Sequence, residues 1–178
     1  MSKLALHIRQ ATEDDSELVA TLGAQTFRDA FGVMNEPQSM KAYIHSSFSQ
    51  KQIAAELVDP KSTFLLAFEA DNAIGYAKLK SGAAPDCVRG VKPVELVRIY
   101  VTQNIIGKGY GSILMERCFE EAAKQGFETI WLGVWEHNTP ALAFYKKWQF
   151  KIVGSHNFLL GNEAQNDLIM ERAVHLQN

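Results

Sequence analysis

The stretch Ile105 to Gly126, IIGKGYGSILMERCFEEAAKQG, places Gly107, Gly109 and Gly111 at alternating positions directly ahead of a run with helical periodicity. The preceding ELVRIYV, Glu95 to Val101, is rich enough in β-branched and aromatic residues to be a strand, so the unit reads strand, glycine loop, helix. Anion binding is the chemistry that suits such a junction. Amides at a helix start have no partner within the helix, and the helix dipole adds positive potential there. Lys108 adds either a solvated surface charge or a flexible phosphate contact, and Ser112 stands at the helix start. Spacing excludes two other nucleotide loops. A dinucleotide fingerprint needs G-x-G-x-x-G, and a Walker-type loop needs G-x-x-x-x-G-K-[ST], whereas here the glycines run G-x-G-x-G and Lys108 is followed by Gly109. A tight turn that binds nothing would also use glycine for positive φ, but one turn does not require three.

Other residues could handle protons or cations. Spacing alone makes Tyr145 a core residue of an amphipathic helix beside Phe144 and Trp148. Glu95 opens its strand; burial would raise its pKa toward that of a base, and exposure would leave a solvated carboxylate. Asn138, ahead of Thr139-Pro140, is a helix N-cap. Glu136, Asp29 and Phe31 offer charge and a ring face to a cation, although Asp29 serves equally as an exposed helix charge.

These residues need elements to position them. LALHIRQA alternates as a strand and stops at TEDDS, where Thr12 or the acidic residues cap a helix that Gly32 ends. NEPQSMKAYIHSSF and SQKQIAAELVD predict two shorter helices, the second capped by Ser49 and closed by Pro60. STFLLAFEADNAIGYAKLKSG predicts a hairpin turning at Asp71-Asn72. After the glycine unit come a strand, FETIWLGVW, a short helix, NTPALAFYKKW, and a closing antiparallel pair, FKIVGSHNFLL and DLIMERAV. No repeat, low-complexity run or linker interrupts the 178 residues, so a single domain, 1–178, is expected, built as one mixed sheet with helices on its faces.

Composition removes several function classes. The net charge of −2 comes from 18 basic and 20 acidic residues with no long run of either sign, which gives no support for nucleic-acid binding. Cys87 and Cys118 form no C-x-x-C pair and have no zinc-type spacing to histidine, so neither a disulfide framework nor a metal site is expected. Reduced thiols fit a cytoplasmic protein. No apolar run approaches the ~18 residues of a membrane span, and the N-terminal MSKLALHIRQATEDD turns polar after a few residues, so neither membrane insertion nor export is expected.

IYVTQNIIGKGYGSILMERCFEEA resembles motif A of the GNAT N-acetyltransferases, whose Q/R-x-x-G-x-G/A falls on Ile106, Gly109 and Gly111. NTPALAFYKKWQF is similar to the family's motif B at Asn138, Ala143, Phe144, Tyr145 and Phe150, and the element order agrees over nearly the whole chain. Two departures stand out: Ile106 replaces the usual Gln or Arg, and Gln149 replaces a glycine at a left-handed helix end, which costs about 1 kcal/mol. The resemblance implies an α/β fold with a mixed, largely antiparallel sheet of about six to seven strands and helices on both faces. It also implies acetyl-CoA as cosubstrate, with the pyrophosphate on the loop around Gly107, Lys108, Gly109, Tyr110, Gly111 and Ser112, near Ile106. The pantetheine arm would pair with main-chain groups at Ile99 and Val101, with Asn138 as a further contact.

In this family Tyr145 occupies the place of the phenol that protonates the departing thiolate, and Glu95 that of a general base, a role that ordered water fills in other members. FRDAFG, ELVRIYV, IWLGVWEHN and DLIMER look most like the PaiA-type branch, which acetylates spermidine and spermine. The implied acceptor is therefore a polyamine bound near Asp29, Phe31 and Glu136. Acetylation of protein N-termini or ribosomal proteins, and a non-catalytic acetyl-CoA sensor, remain as alternatives. The expected partners are acetyl-CoA and a small amine, with a homodimer open and neither nucleic acid nor membrane implied.

Overall fold

The computed structural model describes residues 6–175. Its elements are β1 (Leu6–Gln10), α1 (Ser16–Phe31), α2 (Pro37–Ser47), α3 (Gln50–Val58), β2 (Ser62–Glu69), β3 (Asn72–Ser81), β4 (Pro93–Val101), α4 (Tyr110–Lys124), β5 (Thr129–Trp135), α5 (Thr139–Lys147), β6 (Lys151–Leu160) and β7 (Glu163–Ala173). The start of the first predicted strand, Leu4 and Ala5, lies outside the described residues. Seven strands form one sheet in the order β1-β2-β3-β4-β5-β7-β6, antiparallel throughout except for β4 with β5. An α/β fold with a mixed, mostly antiparallel sheet is what the sequence led us to expect.

Side-chain alternation divides the interior in two. On one face Leu65, Ala77, Leu96, Ile130, Leu132 and Met170 pack against Leu114, Met115 and Cys118 of α4. On the other, Phe64, Leu66 and Tyr76 pack against Val19, Phe27, Met40 and Ile53 of α1, α2 and α3. Local signals work largely as read. Ser49 accepts from Gln52 N–H, and Glu36 caps α2 by accepting from Gln38 and Ser39 N–H at 3.0 and 2.8 Å. Gly32 does end α1, but with an ordinary right-handed φ of −60°, so its freedom is not what stops the helix. The hairpin turns at Ala70-Asp71, one residue earlier than predicted, because Glu69 pairs with Asn72.

α3 is fixed to the sheet by charge. Lys78 and Arg98 sit directly opposite each other on β3 and β4, an unfavourable like-charge pair by itself. Glu56 resolves it by accepting from Lys78 Nζ at 2.6 Å and Arg98 Nη1 at 2.9 Å. Only 5, 11 and 13% of the Lys78, Arg98 and Glu56 side chains is exposed, so the cluster is a buried one. Arg98 also lies over the Phe48 ring at 4.8 Å. The cluster holds β4 beside a bulge: Lys78 pairs with Arg98 and Leu79 with Leu96, which leaves Val97 as the extra residue.

Candidate active site

β4 and β5 pair only at Pro93–Thr129, Val94–Ile130 and Glu95–Trp131, then diverge, and the Val97 bulge lies just where pairing stops. The strands open there as a wedge. Thr102 N–H donates to Ile74 O of β3, so by antiparallel alternation the main-chain groups of Tyr100 face β3 and those of Ile99 and Val101 face the wedge. The Ile99 and Val101 side chains pack against the α4 core. Their peptide groups are therefore an unpaired strand edge.

The glycine loop stands at the open end of this edge. Gly107 and Gly109 adopt φ of +86° and +88°, the left-handed region that only glycine enters without strain. Within the loop Ile106 N–H donates to Gln103 O, Lys108 N–H to Ile105 O, and Ser112 N–H to Gly109 O. The amides of Gly107, Gly109, Tyr110 and Gly111 have no acceptor among the described residues, and they converge at the N-terminus of α4. This sharpens the sequence reading: Lys108 and Ser112 have inward-bonded amides and could contribute only side chains. The Ile106 side chain is exposed and Tyr110 Oη donates to Glu69. A Cβ on Gly111 would meet nothing nearer than the Phe144 ring at 3.9 Å, so packing inside the chain does not require glycine there.

The sheet face away from α4 carries Glu95 and Phe31. Glu95 is half-buried at the wedge's closed end, and burial raises its carboxyl above the ordinary range against the pull of Lys78, Lys80, His156 and Arg98. Phe31 packs on Phe27 at 4.6 Å and edge-on to Tyr100 at 6.4 Å, which brings it over β4. Glu136 follows the end of β5 and accepts from Asn166 Nδ2 at 3.2 Å. Asp29 stands apart from these. Its carboxylate accepts from Gln25 of its own helix at 2.9 Å, and no hydrogen bond or ion pair joins it to Glu95 or Glu136 among the described residues.

Residues 24–150, more than half of the chain, match the acetyltransferase (GNAT) family. The chain belongs to the GNAT acetyltransferases. An uncharacterized N-acetyltransferase of Mycobacterium bovis is 32% identical over 160 residues, covering 90% of this chain and 98% of the relative. Another, from the pepI 3′ region of Lactobacillus delbrueckii subsp. lactis, is 29% identical over 167 residues, 94% and 96% of the two chains. In three dimensions the acetyltransferase resembles the PaiA N-acetyltransferase of Thermoplasma acidophilum, solved in complex with coenzyme A, with a TM-score of 0.78, 22% identity and coverage of 95% and 99%.

In this acetyltransferase Tyr145 lies on α5, half-buried between Phe144 and Phe150 at ring distances of 5.6 and 5.8 Å. Its backbone is pinned where α5 ends: Phe150 N–H donates to Tyr145 O and Gln149 takes the left-handed φ of +65° anticipated for it. Burial pushes its phenol above the ordinary value, and its hydroxyl has no hydrogen-bond partner among the described residues. Asn138 caps α5 through Oδ1, which accepts from Ala141 N–H at 3.3 Å.

Sequence reasoning missed Asp167, His156 and Tyr43. Asp167 on β7 pairs with Trp135 of β5 and His156 of β6, and its Oδ1 is buried without a hydrogen-bond partner. A carboxylate heading the predicted run DLIMERAV carries no local sign that β7 begins earlier, at Glu163, and that pairing on both sides will half-bury it.

Proposed function

We propose that the chain transfers the acetyl group of acetyl-CoA to a primary amine, with a polyamine such as spermidine or spermine as acceptor. One observation carries the reading: four unbonded amides at the start of α4 adjoin an unpaired β4 edge. An anionic pyrophosphate suits the first and an amide-bearing pantetheine arm the second, docked as an added strand. The chain's own groups would do the rest. Ile99 and Val101 would orient the arm by main-chain pairing, with Asn138 and the Lys108 and Ser112 side chains as further contacts, and Tyr145 would supply a proton to the departing sulfur. Phe31 and Glu95 make the opposite face acidic and aromatic, as a flexible cation requires, and Glu136 would meet a distal ammonium group from the end of β5. The PaiA-like shape supports the acetyltransferase fold, while the acceptor class rests on the PaiA-like sequence stretches; we take the chain as one cytoplasmic domain in which Cys87 and Cys118 are free. Coenzyme A release from acetyl-CoA with a panel of amines tests the activity; no release with any amine rejects it.

Two results follow from this reading. Gly109→Val forces a β-branched residue into φ +88° and covers the free amides, so acetyl-CoA affinity should collapse in calorimetric titration. Gly111→Ala is the cleaner companion: it should keep or raise the melting temperature, since alanine favours helix, while still weakening acetyl-CoA. Unaltered affinity in both variants would show that the loop is only a turn.

The acceptor assignment predicts that kcat/KM for spermidine exceeds that for a monoamine of similar length, and that high salt raises KM for spermidine alone. Its distal ammonium groups would meet carboxylates whose attraction is screened beyond about 8 Å at physiological ionic strength. Equal kcat/KM for both amines, or preference for peptide N-termini, rejects the polyamine.

A further inference from the structure

Asp167 is a half-buried carboxylate: its Oδ1 is buried without a hydrogen-bond partner among the described residues, and its Oδ2 faces the strand that borders the place where the sheet splits. Both its Oδ2 and His156 Cε1 lie 3.4 Å from the point a Cβ on Gly133 would occupy. Gly133 is exposed, so the missing side chain leaves open space directly before the two groups. Continuing the β4–β5 register past Glu95–Trp131 sets Gly133 level with Val97, at the start of the wedge. An acyl group carried by an arm along Ile99 and Val101 would end at this level. Tyr43 of α2 is near enough for the Asp167 charge to act on its phenol.

We infer that Asp167 receives the acceptor's ammonium group and takes its proton ahead of acyl transfer, an assignment that rests on the amine acetylation proposed above. Glu95 is poorly placed for this task. Lys78, Lys80 and Arg98 all act on Glu95 and repel an arriving cation, whereas the one charged neighbour acting on Asp167 is His156. The step balances as follows. R–NH3⁺ gives one proton to the Asp167 carboxylate, and the freed lone pair forms the C–N bond at the thioester carbonyl carbon. The C–S bond breaks as the carbonyl re-forms, and the thiolate takes the Tyr145 proton. The phenolate recovers a proton from the acylated nitrogen, and Asp167 returns its own to solvent.

Burial lifts the Asp167 carboxyl to about 6 while His156 pulls it the other way. The groups acting on it or on which it acts are His156 from β6 and Tyr43 from α2. Above its pKa Asp167 is charged and can attract and deprotonate an amine; below it, neither is available. An acid limb near that value is therefore expected in kcat/KM.

The experiment measures kcat/KM for spermidine against pH in wild type, Asp167→Asn and His156→Gln, with acetyl-CoA affinity read by calorimetry. Asp167→Asn should lower kcat/KM by about 10²-fold at neutral pH, erase the acid limb and leave acetyl-CoA affinity unchanged. His156→Gln, at an exposed position, should move the limb to higher pH, because a cation favouring the carboxylate is gone; this arm stands even if Asp167→Asn does not fold. A wild-type rate and limb in Asp167→Asn, or a limb unmoved in His156→Gln, overturns the inference alone. Absence of turnover by the wild type with every amine overturns the proposed function and the inference together.

Discussion

Tyr145→Phe should lower kcat about 10²-fold while the melting temperature stays where it was. The ring sits among Phe144, Phe150 and the α4 core, and phenylalanine keeps all of that packing. The hydroxyl has no hydrogen-bond partner among the described residues to lose, so the substitution removes a proton and little else. A hundredfold loss is about 2.7 kcal/mol of transition-state stabilisation, within what one positioned acid contributes. Because burial raises the phenol above its ordinary value, Tyr145 stays protonated through the neutral range and adds no limb of its own there. The measurement is kcat at saturating amine together with thermal unfolding. Full turnover in the variant would make Tyr145 a packing residue.

Glu56→Gln should cost about 3–5 kcal/mol of folding stability, because it leaves Lys78 and Arg98 buried face to face without a counter-charge. Lys78→Met should cost less, since Arg98 and Glu56 still pair. Burial opposes the Glu56 charge, but Arg98 and Lys78 outweigh it and hold the carboxyl below its ordinary 4.5. A carboxyl lowered in the folded state stabilises at pH above its unfolded value and loses that contribution as pH falls through the folded one. The difference between wild type and Glu56→Gln should therefore shrink on acidification. Urea unfolding at neutral and acid pH measures it, and a cost below about 1 kcal/mol at neutral pH would mean that solvent reaches the cluster.

Much of the architecture could be read from local chemistry. Alternation over STFLLAFE, the Ser49 and Asn138 caps and the glycine run each determine structure within a few residues. Gln149 shows the same locality, since a helix end needs a left-handed residue whatever its type. What escaped depends on distant partners. The Val97 bulge exists because Arg98 and Leu96 find partners on β3, and nothing in ELVRIYV marks it. Asp167 gains its character from Trp135 and His156, brought beside it by strand pairing. Asp29 illustrates the converse, since FRDAFG groups it in sequence with Phe31, yet its hydrogen bond is to Gln25 on its own helix.

The three-residue pairing of β4 with β5 also bears on solubility. An unpaired strand edge ordinarily recruits the edge of another molecule and seeds aggregation. Here the two bare edges face each other across a gap that narrows to nothing at Glu95–Trp131. A neighbouring sheet, twisted and several strands wide, cannot be driven into such a notch, whereas a single slender chain can. The geometry thus keeps an adhesive surface within reach of a flexible small molecule and out of reach of a second copy of the protein.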